Sequence, residues 1–147
     1  MANYRNRHKK ESEVSRGAFG LLEKGIEAIL SKIFGRGGGF AAYKPNEITQ
    51  IWGGIEKMEP KLSIIEADKL VDNVLRRAHV KGKAMGERLR AVEKLVPYEV
   101  YSDMWEAHKE RNRLVHETRH DAIVSDHQQV LWKMKKFLVA LGAFRNE

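Results

Sequence analysis

The chain contains no cysteine among its 147 residues. This excludes a disulfide framework and any thiolate metal site, and nothing in the composition points to an oxidising compartment. A cytoplasmic location is the expectation. No run approaches the ~18 to 20 uncharged apolar residues that a membrane-crossing helix needs, and the N-terminus lacks the apolar core and small-residue cleavage site of a secretory signal. Proline is scarce: only Pro45, Pro60 and Pro97 occur, each read as a break between segments. Alternation of apolar and polar residues never extends beyond a few positions, and no internal repeat is visible, so strands and repeat architectures are not expected. An all-α fold follows.

What is present suits one domain. A hydrophobic content of 42 % in a chain of this length is enough to close a single core. The net charge is +7 and the pI is about 9.7. Such a surface favours an anionic partner, nucleic acid or an acidic membrane face, because summed positive potential raises the encounter rate with both. The plainer alternative is a basic surface that only maintains solubility.

Residues 1–16 carry Arg5, Arg7, Lys9, Lys10 and Arg16 against Glu11 and Glu13 with few apolar residues, the pattern of a mobile basic arm. Across 17–34, Phe19, Leu22, Ile26, Ile29, Leu30, Ile33 and Phe34 recur at helical spacing opposite Glu23, Lys24, Glu27 and Lys32. This predicts an N-terminal amphipathic helix. It suits packing on the bundle or on a partner protein, and contact with an anionic membrane surface is the alternative. Residues 35–46, with Gly35, Gly37, Gly38, Gly39 and Pro45, read as a Gly-rich hinge. A nucleotide loop there would need a preceding strand and a Walker lysine, and has neither.

Residues 47–147 form the expected helical body. Asn46 is a candidate cap before the stripe Ile48, Ile51, Trp52, Ile55 and Met58, with the helix ending near Pro60. A second helix, roughly Lys61 to His79, places Ile64, Ala67, Val71, Val74 and Ala78 on one face. After a turn at Val80-Lys81-Gly82, Met85, Leu89, Val92 and Val96 suggest a shorter helix stopped by Pro97. Ser102 is the expected cap of the next helix, Ser125-x-x-Gln128 the capping box of the last, and Gly142 its end.

Chemistry concentrates in the helix after Ser102. At ~100° per residue, Tyr101, Met104, Trp105, His108, Asn112 and Val115 share one sector, read as the buried face. His108 and Asn112 interrupt it. Each would cost about 1 to 3 kcal/mol if buried without a partner, so each needs a hydrogen bond, a cleft or a second subunit. Arg111 and His116 flank the stripe but point about 140° apart on a straight helix. They can share a site only if the helix bends or ends between them, or if two copies meet across a two-fold axis. The plain alternative is that they make ion pairs with acids such as Glu66, Asp68 or Asp72.

The run Arg111-Asn112-Arg113-Leu114-Val115-His116 on a late helix resembles the Arg-x4-6-His signature of the HEPN superfamily. The likeness extends loosely from about Ile48 to Leu141, and Arg113 with His120 also meets the looser six-residue gap. The resemblance implies a four-helix up-and-down bundle, here with the extra N-terminal amphipathic helix, that pairs as a homodimer around a basic cleft. It also implies RNA as partner and, in many members, metal-independent endoribonuclease activity, although some members have none. Arg111, Asn112 and His116 become the expected catalytic set, with His108, Lys109, Arg113, Arg119 and His120 as expected RNA contacts. Histidine, whose ordinary pKa is near ~6.5, suits proton transfer at a ribose 2′-hydroxyl or a leaving oxygen. Arginine suits bidentate grip on the scissile phosphate, and Asn112, one turn before His116, suits orienting its imidazole. Thr118 stands where some members carry a tyrosine that is nucleotidylated, so that regulation is not expected.

Two other readings compete. His116-Glu117-Thr118-Arg119-His120 spells H-E-x-x-H, the zincin pattern. A third ligand is missing, Ile123 stands where one zincin branch has glycine, and Arg119 would sit beside a dication, so chance occurrence is the better account. No metal and no cofactor are expected. A non-catalytic interaction or scaffold module built on the bundle's outer faces is the remaining alternative.

Overall fold

In the computed structural model of the chain, the described residues are Phe40, 46–117 and 126–144. The expected basic arm, the N-terminal amphipathic helix, most of the hinge and the candidate contacts Arg119 and His120 lie outside them. Among the described residues the fold is all-α, a helical bundle of five helices: α1 (Glu47–Ile55), α2 (Pro60–Arg77), α3 (Met85–Ala91), α4 (Tyr98–His116) and α5 (His127–Ala140). None is long and apolar enough to cross a membrane.

α1 buries Ile48, Trp52 and Ile55 at i, i+4 and i+7. Ile51 and Met58, expected on the same stripe, are 39 % and 38 % exposed. The helix stops at Ile55, after the weak helix formers Gly53 and Gly54, so Met58 falls beyond it. Pro60 does not end this helix but opens the next. It takes the first turn of α2, where its missing N–H costs nothing, and the Glu59 carboxylate accepts from the backbone N–H groups of Lys61 and Leu62. α2 then buries Ile64, Ala67, Val71 and Val74, as its spacing predicts. It ends in a Schellman turn: Val80 N–H donates to Leu75 C=O and His79 N–H to Arg76 C=O, with His79 left-handed at φ +58°.

The expected single helix through Met85, Leu89, Val92 and Val96 is two pieces, α3 and a 3-10 turn at Glu93–Leu95. All four side chains are nonetheless buried. Pro97 forces Val96 into an extended backbone, φ −130° and ψ 155°, so one continuous helix cannot reach it. α4 then begins at Tyr98 with Pro97 as its cap, and Ser102 lies one turn inside rather than at the cap. The Pro97 carbonyl accepts from Tyr101 N–H, the first bond of the helix, and the Pro97 side chain makes no cap hydrogen bond. α5 is capped by Asp126, whose carboxylate accepts from Gln129 N–H, one residue after the expected Ser125, which lies outside the described residues. Gly142, at φ +74°, closes α5 as anticipated.

α5 packs on α4 and α2, and α2 also packs on α4 and α1. Lys136 pairs with Asp103 and Lys133 with Glu106, so α4 and α5 run in opposite directions. Between the helices, Ile64, Leu75, Met104, Leu114, Met134 and Phe137 are fully buried, each contributing about 1.5 to 3 kcal/mol of transfer free energy. Phe40, from the Gly-rich stretch, packs against this core.

Candidate nucleic-acid interface

α4 buries the sector its apolar residues suggest only in part, with Tyr101, Trp105 and Asn112 half-buried. Met104, Ala107, His108 and Leu114 are buried, whereas Val115 is 46 % exposed. The core-facing side is rotated toward Ala107 and Leu114, which leaves His108, Arg111 and Asn112 on the edge facing α2.

There the buried carboxylate of Asp68 receives α4. Its Oδ1 is 2.9 Å from His108 Nδ1, and its Oδ2 is 3.3 Å from Arg111 Nε. Arg111 Nη1 donates to Asn112 Oδ1 at 2.9 Å, and Asn112 Nδ2 lies 3.3 Å from His108 Nε2. The donors assign the rest. Guanidinium nitrogens only donate, so the oxygen of Asn112 faces Arg111 and its NH2 faces His108. His108 Nε2 therefore accepts, and the ring proton sits on Nδ1, donated to Asp68. Arg111 Nε faces Asp68 without hydrogen-bond alignment and is a buried donor with no hydrogen bond among the described residues.

Aromatic packing and a second ion pair brace this network. Trp105 meets the His108 ring edge-on at 5.9 Å, Tyr101 meets Trp105 at 6.3 Å, and Arg90 lies 5.5 Å from the indole centroid. Gly86 on α3 makes room for the indole, since a Cβ there would stand 3.2 Å from it. Arg88, also on α3 and buried, donates from Nε to Asp72 Oδ1 at 2.8 Å and from Nη1 to Gly82 C=O at 2.6 Å. Gly82 has φ +149° and would bring a Cβ to 2.8 Å from Arg88 N, so the turn requires glycine. These parts frame an open pocket of about 260 Å³ lined by Asp68, Lys69, Asp72, Asn73, Arg76, Met85, His108 and Arg111.

The expected site residues thus separate into groups. Arg111, Asn112 and His108 come together around Asp68. Asn112, expected to orient His116, instead bonds Arg111 and His108. Lys109 is exposed. Arg113 is held by Glu110 on its own helix and by Glu117 just past its end; its hydrogen bond holds the Glu110 carboxyl below the ordinary glutamate value, and Glu110 in turn raises the Arg113 guanidinium. His116 is exposed in the last turn of α4. The helix does not end between Arg111 and His116.

Of the acids that competed for these residues, Asp68 does pair with Arg111, but its histidine is His108 rather than His116. Glu66 pairs with Lys69, and Asp72 with Arg88. The zincin spelling loses its helix: α4 ends at His116, Glu117 is extended at φ −83° and ψ 110°, and its carboxylate is bound by Arg113. Among the described residues no group of three or more His, Asp or Glu could hold a metal ion.

Arg88 escaped the sequence reading because nothing marks one arginine in a short helix as buried. Asp68 carried a signal, since it falls between Ile64 and Val71 on a buried stripe. Compared with family models, curated proteins and solved structures, the chain matches none.

Proposed function

We propose that the chain is a HEPN-like RNA-binding protein, a four-helix up-and-down bundle acting as a homodimer, whose composite site cleaves RNA without a metal. The observation that carries the reading is the geometry of α4. Arg111 is anchored by Asp68 and Asn112 at the rim of an open pocket, and His116 stands exposed five residues further along the same helix. One straight helix turns these two side chains about 140° apart, so a shared phosphate needs His116 from a second copy.

In that site Arg111 holds the scissile phosphate and offsets the charge that grows on it. His116 takes the proton of the ribose 2′-hydroxyl as its oxygen bonds to phosphorus. The bond from phosphorus to the 5′-oxygen breaks, and a proton returns to that leaving oxygen. The products are a 2′,3′-cyclic phosphate and a 5′-hydroxyl.

The test is incubation of purified chain with single-stranded RNA in excess chelator. Cleavage by the wild type that disappears in His116→Ala and in Arg111→Ala supports the enzyme. Intact RNA with the wild type, or wild-type cleavage by both variants, defeats it. Binding without cleavage is the second reading, favoured by the engagement of Asn112 with His108 and Arg111 rather than with His116. Salt-dependent RNA binding with no cleavage would select it.

A further inference from the structure

The pocket beside Arg111 has a second wall, on α2. Lys69, Asn73 and Arg76 recur at i, i+4 and i+7, so they form one stripe about 10 Å long, and all three are exposed and line the pocket. The acids around them are already committed. Asp68 is held by His108 and Arg111, and Asp72 receives both Nε and Nη2 of Arg88, at 2.8 and 2.7 Å. Among the described residues Lys69 meets only Glu66, three residues back in an exposed pair, a kind of bond worth little and easily exchanged. Arg76 has no ion pair among the described residues.

Three cations, Lys69, Arg76 and Arg111, therefore line the pocket beside two acids, of which Asp68 is held by Arg111 and Asp72 by Arg88 from behind. At about 260 Å³ the opening is smaller than the ~300 to 1,000 Å³ that encloses a small-molecule ligand. It fits a phosphate and its sugar better than a whole nucleotide cofactor.

We propose that Lys69, Asn73 and Arg76 form a second RNA-backbone contact, which takes a phosphate neighbouring the one held by Arg111 and leads the strand from α4 across α2. The proposal rests on the RNA-binding reading above and adds contacts that the Arg-x4-6-His resemblance does not supply. Lys69 and Arg76 grip phosphate oxygens, and the Asn73 amide donates to the same backbone, so the contact extends affinity without selecting bases.

The test is the salt dependence of binding by the full chain to a fluorescent 2′-O-methyl oligouridylate, which lacks the 2′-hydroxyl and stays intact. Lys69→Ala and Arg76→Ala are each expected to lower the slope of log affinity against log salt by about 0.7, the single-strand value for one phosphate contact, or about fivefold in affinity per decade of salt. The double variant is expected to lose about 1.4. Lys57→Ala, a change at an exposed lysine outside the pocket, is expected to leave the slope unchanged. Both positions are exposed, and matching thermal melts show the fold intact. Wild-type slopes in both variants overturn the second contact and leave the proposed function standing. An equal loss in Lys57→Ala overturns it as an effect of general charge. No salt-dependent binding by the wild type overturns the proposed function and this contact together.

Discussion

Asp68 and His108, forty positions apart in the chain, face each other at 2.9 Å between α2 and α4. Each is a polar interruption in a buried stripe, and each supplies what the other lacks: a carboxylate oxygen for the ring proton, and a donor for a buried charge. Arg111 adds its guanidinium to the same carboxylate. Asp68→Asn keeps the shape but withdraws the charge, leaving Arg111 partly buried without its counter-ion. Charge-assisted hydrogen bonds are worth about 1.5 to 3 kcal/mol, and a loss of about 2 to 3 kcal/mol is expected in urea denaturation. Asp72→Asn, beside it and more exposed, is expected to lose less.

The same pair shows how far the sequence could be read. Periodicity located the helical body and most of its buried positions, because apolar spacing is a local property. It also marked His108 and Asn112 as needing partners. Choosing Asp68 over Glu66 or Asp72 required knowing how α2 and α4 sit in register, which no single helix encodes. The pairing of Asn112 with Arg111 and His108 rather than His116 was hidden for the same reason. Pro60 reads on local grounds as the stop of α1, but it serves as a start because α2 follows at once; Pro97 does stop the segment before it and also caps α4.

His79 and Gly142 hold equivalent left-handed positions in two Schellman turns. A side chain costs about 1 to 2 kcal/mol there, and glycine adopts it freely. His79→Gly is therefore expected to stabilise the chain by about 0.5 to 1 kcal/mol, net of the extra freedom glycine gives the unfolded state. Gly142→Ala, which meets no neighbour in space, is expected to destabilise by a similar amount through its backbone alone. Opposite shifts in melting temperature from the two substitutions check this; shifts of the same sign would contradict it.

Glu110 supplies the pH dependence. The hydrogen bond from Arg113 lowers its carboxyl relative to the unfolded chain. The folded state thus holds the proton less tightly, and the contribution is complete above the ordinary glutamate range and is lost as pH falls through the depressed folded value. The effect is small and weakens with salt, because the pair lies at the surface. Stability measured against pH for the wild type and Glu110→Gln is expected to converge toward acid, with a smaller gap at neutral pH in high salt. A gap that widens toward acid would contradict the assignment.

His116 and Arg111 separate stability from chemistry. His116 is exposed at the end of α4, so His116→Ala is expected to change stability by no more than about 0.5 kcal/mol while abolishing RNA cleavage. Arg111→Ala removes the counter-ion of buried Asp68 and is expected to lose both cleavage and about 2 kcal/mol or more of stability. Mixing the two inactive variants distinguishes a composite site from a site within one chain. If each active centre takes Arg111 from one copy and His116 from the other, a mixed dimer carries one centre with both residues intact, and cleavage returns on mixing. If both residues act from the same chain, every centre in the mixture lacks one of them and cleavage stays absent.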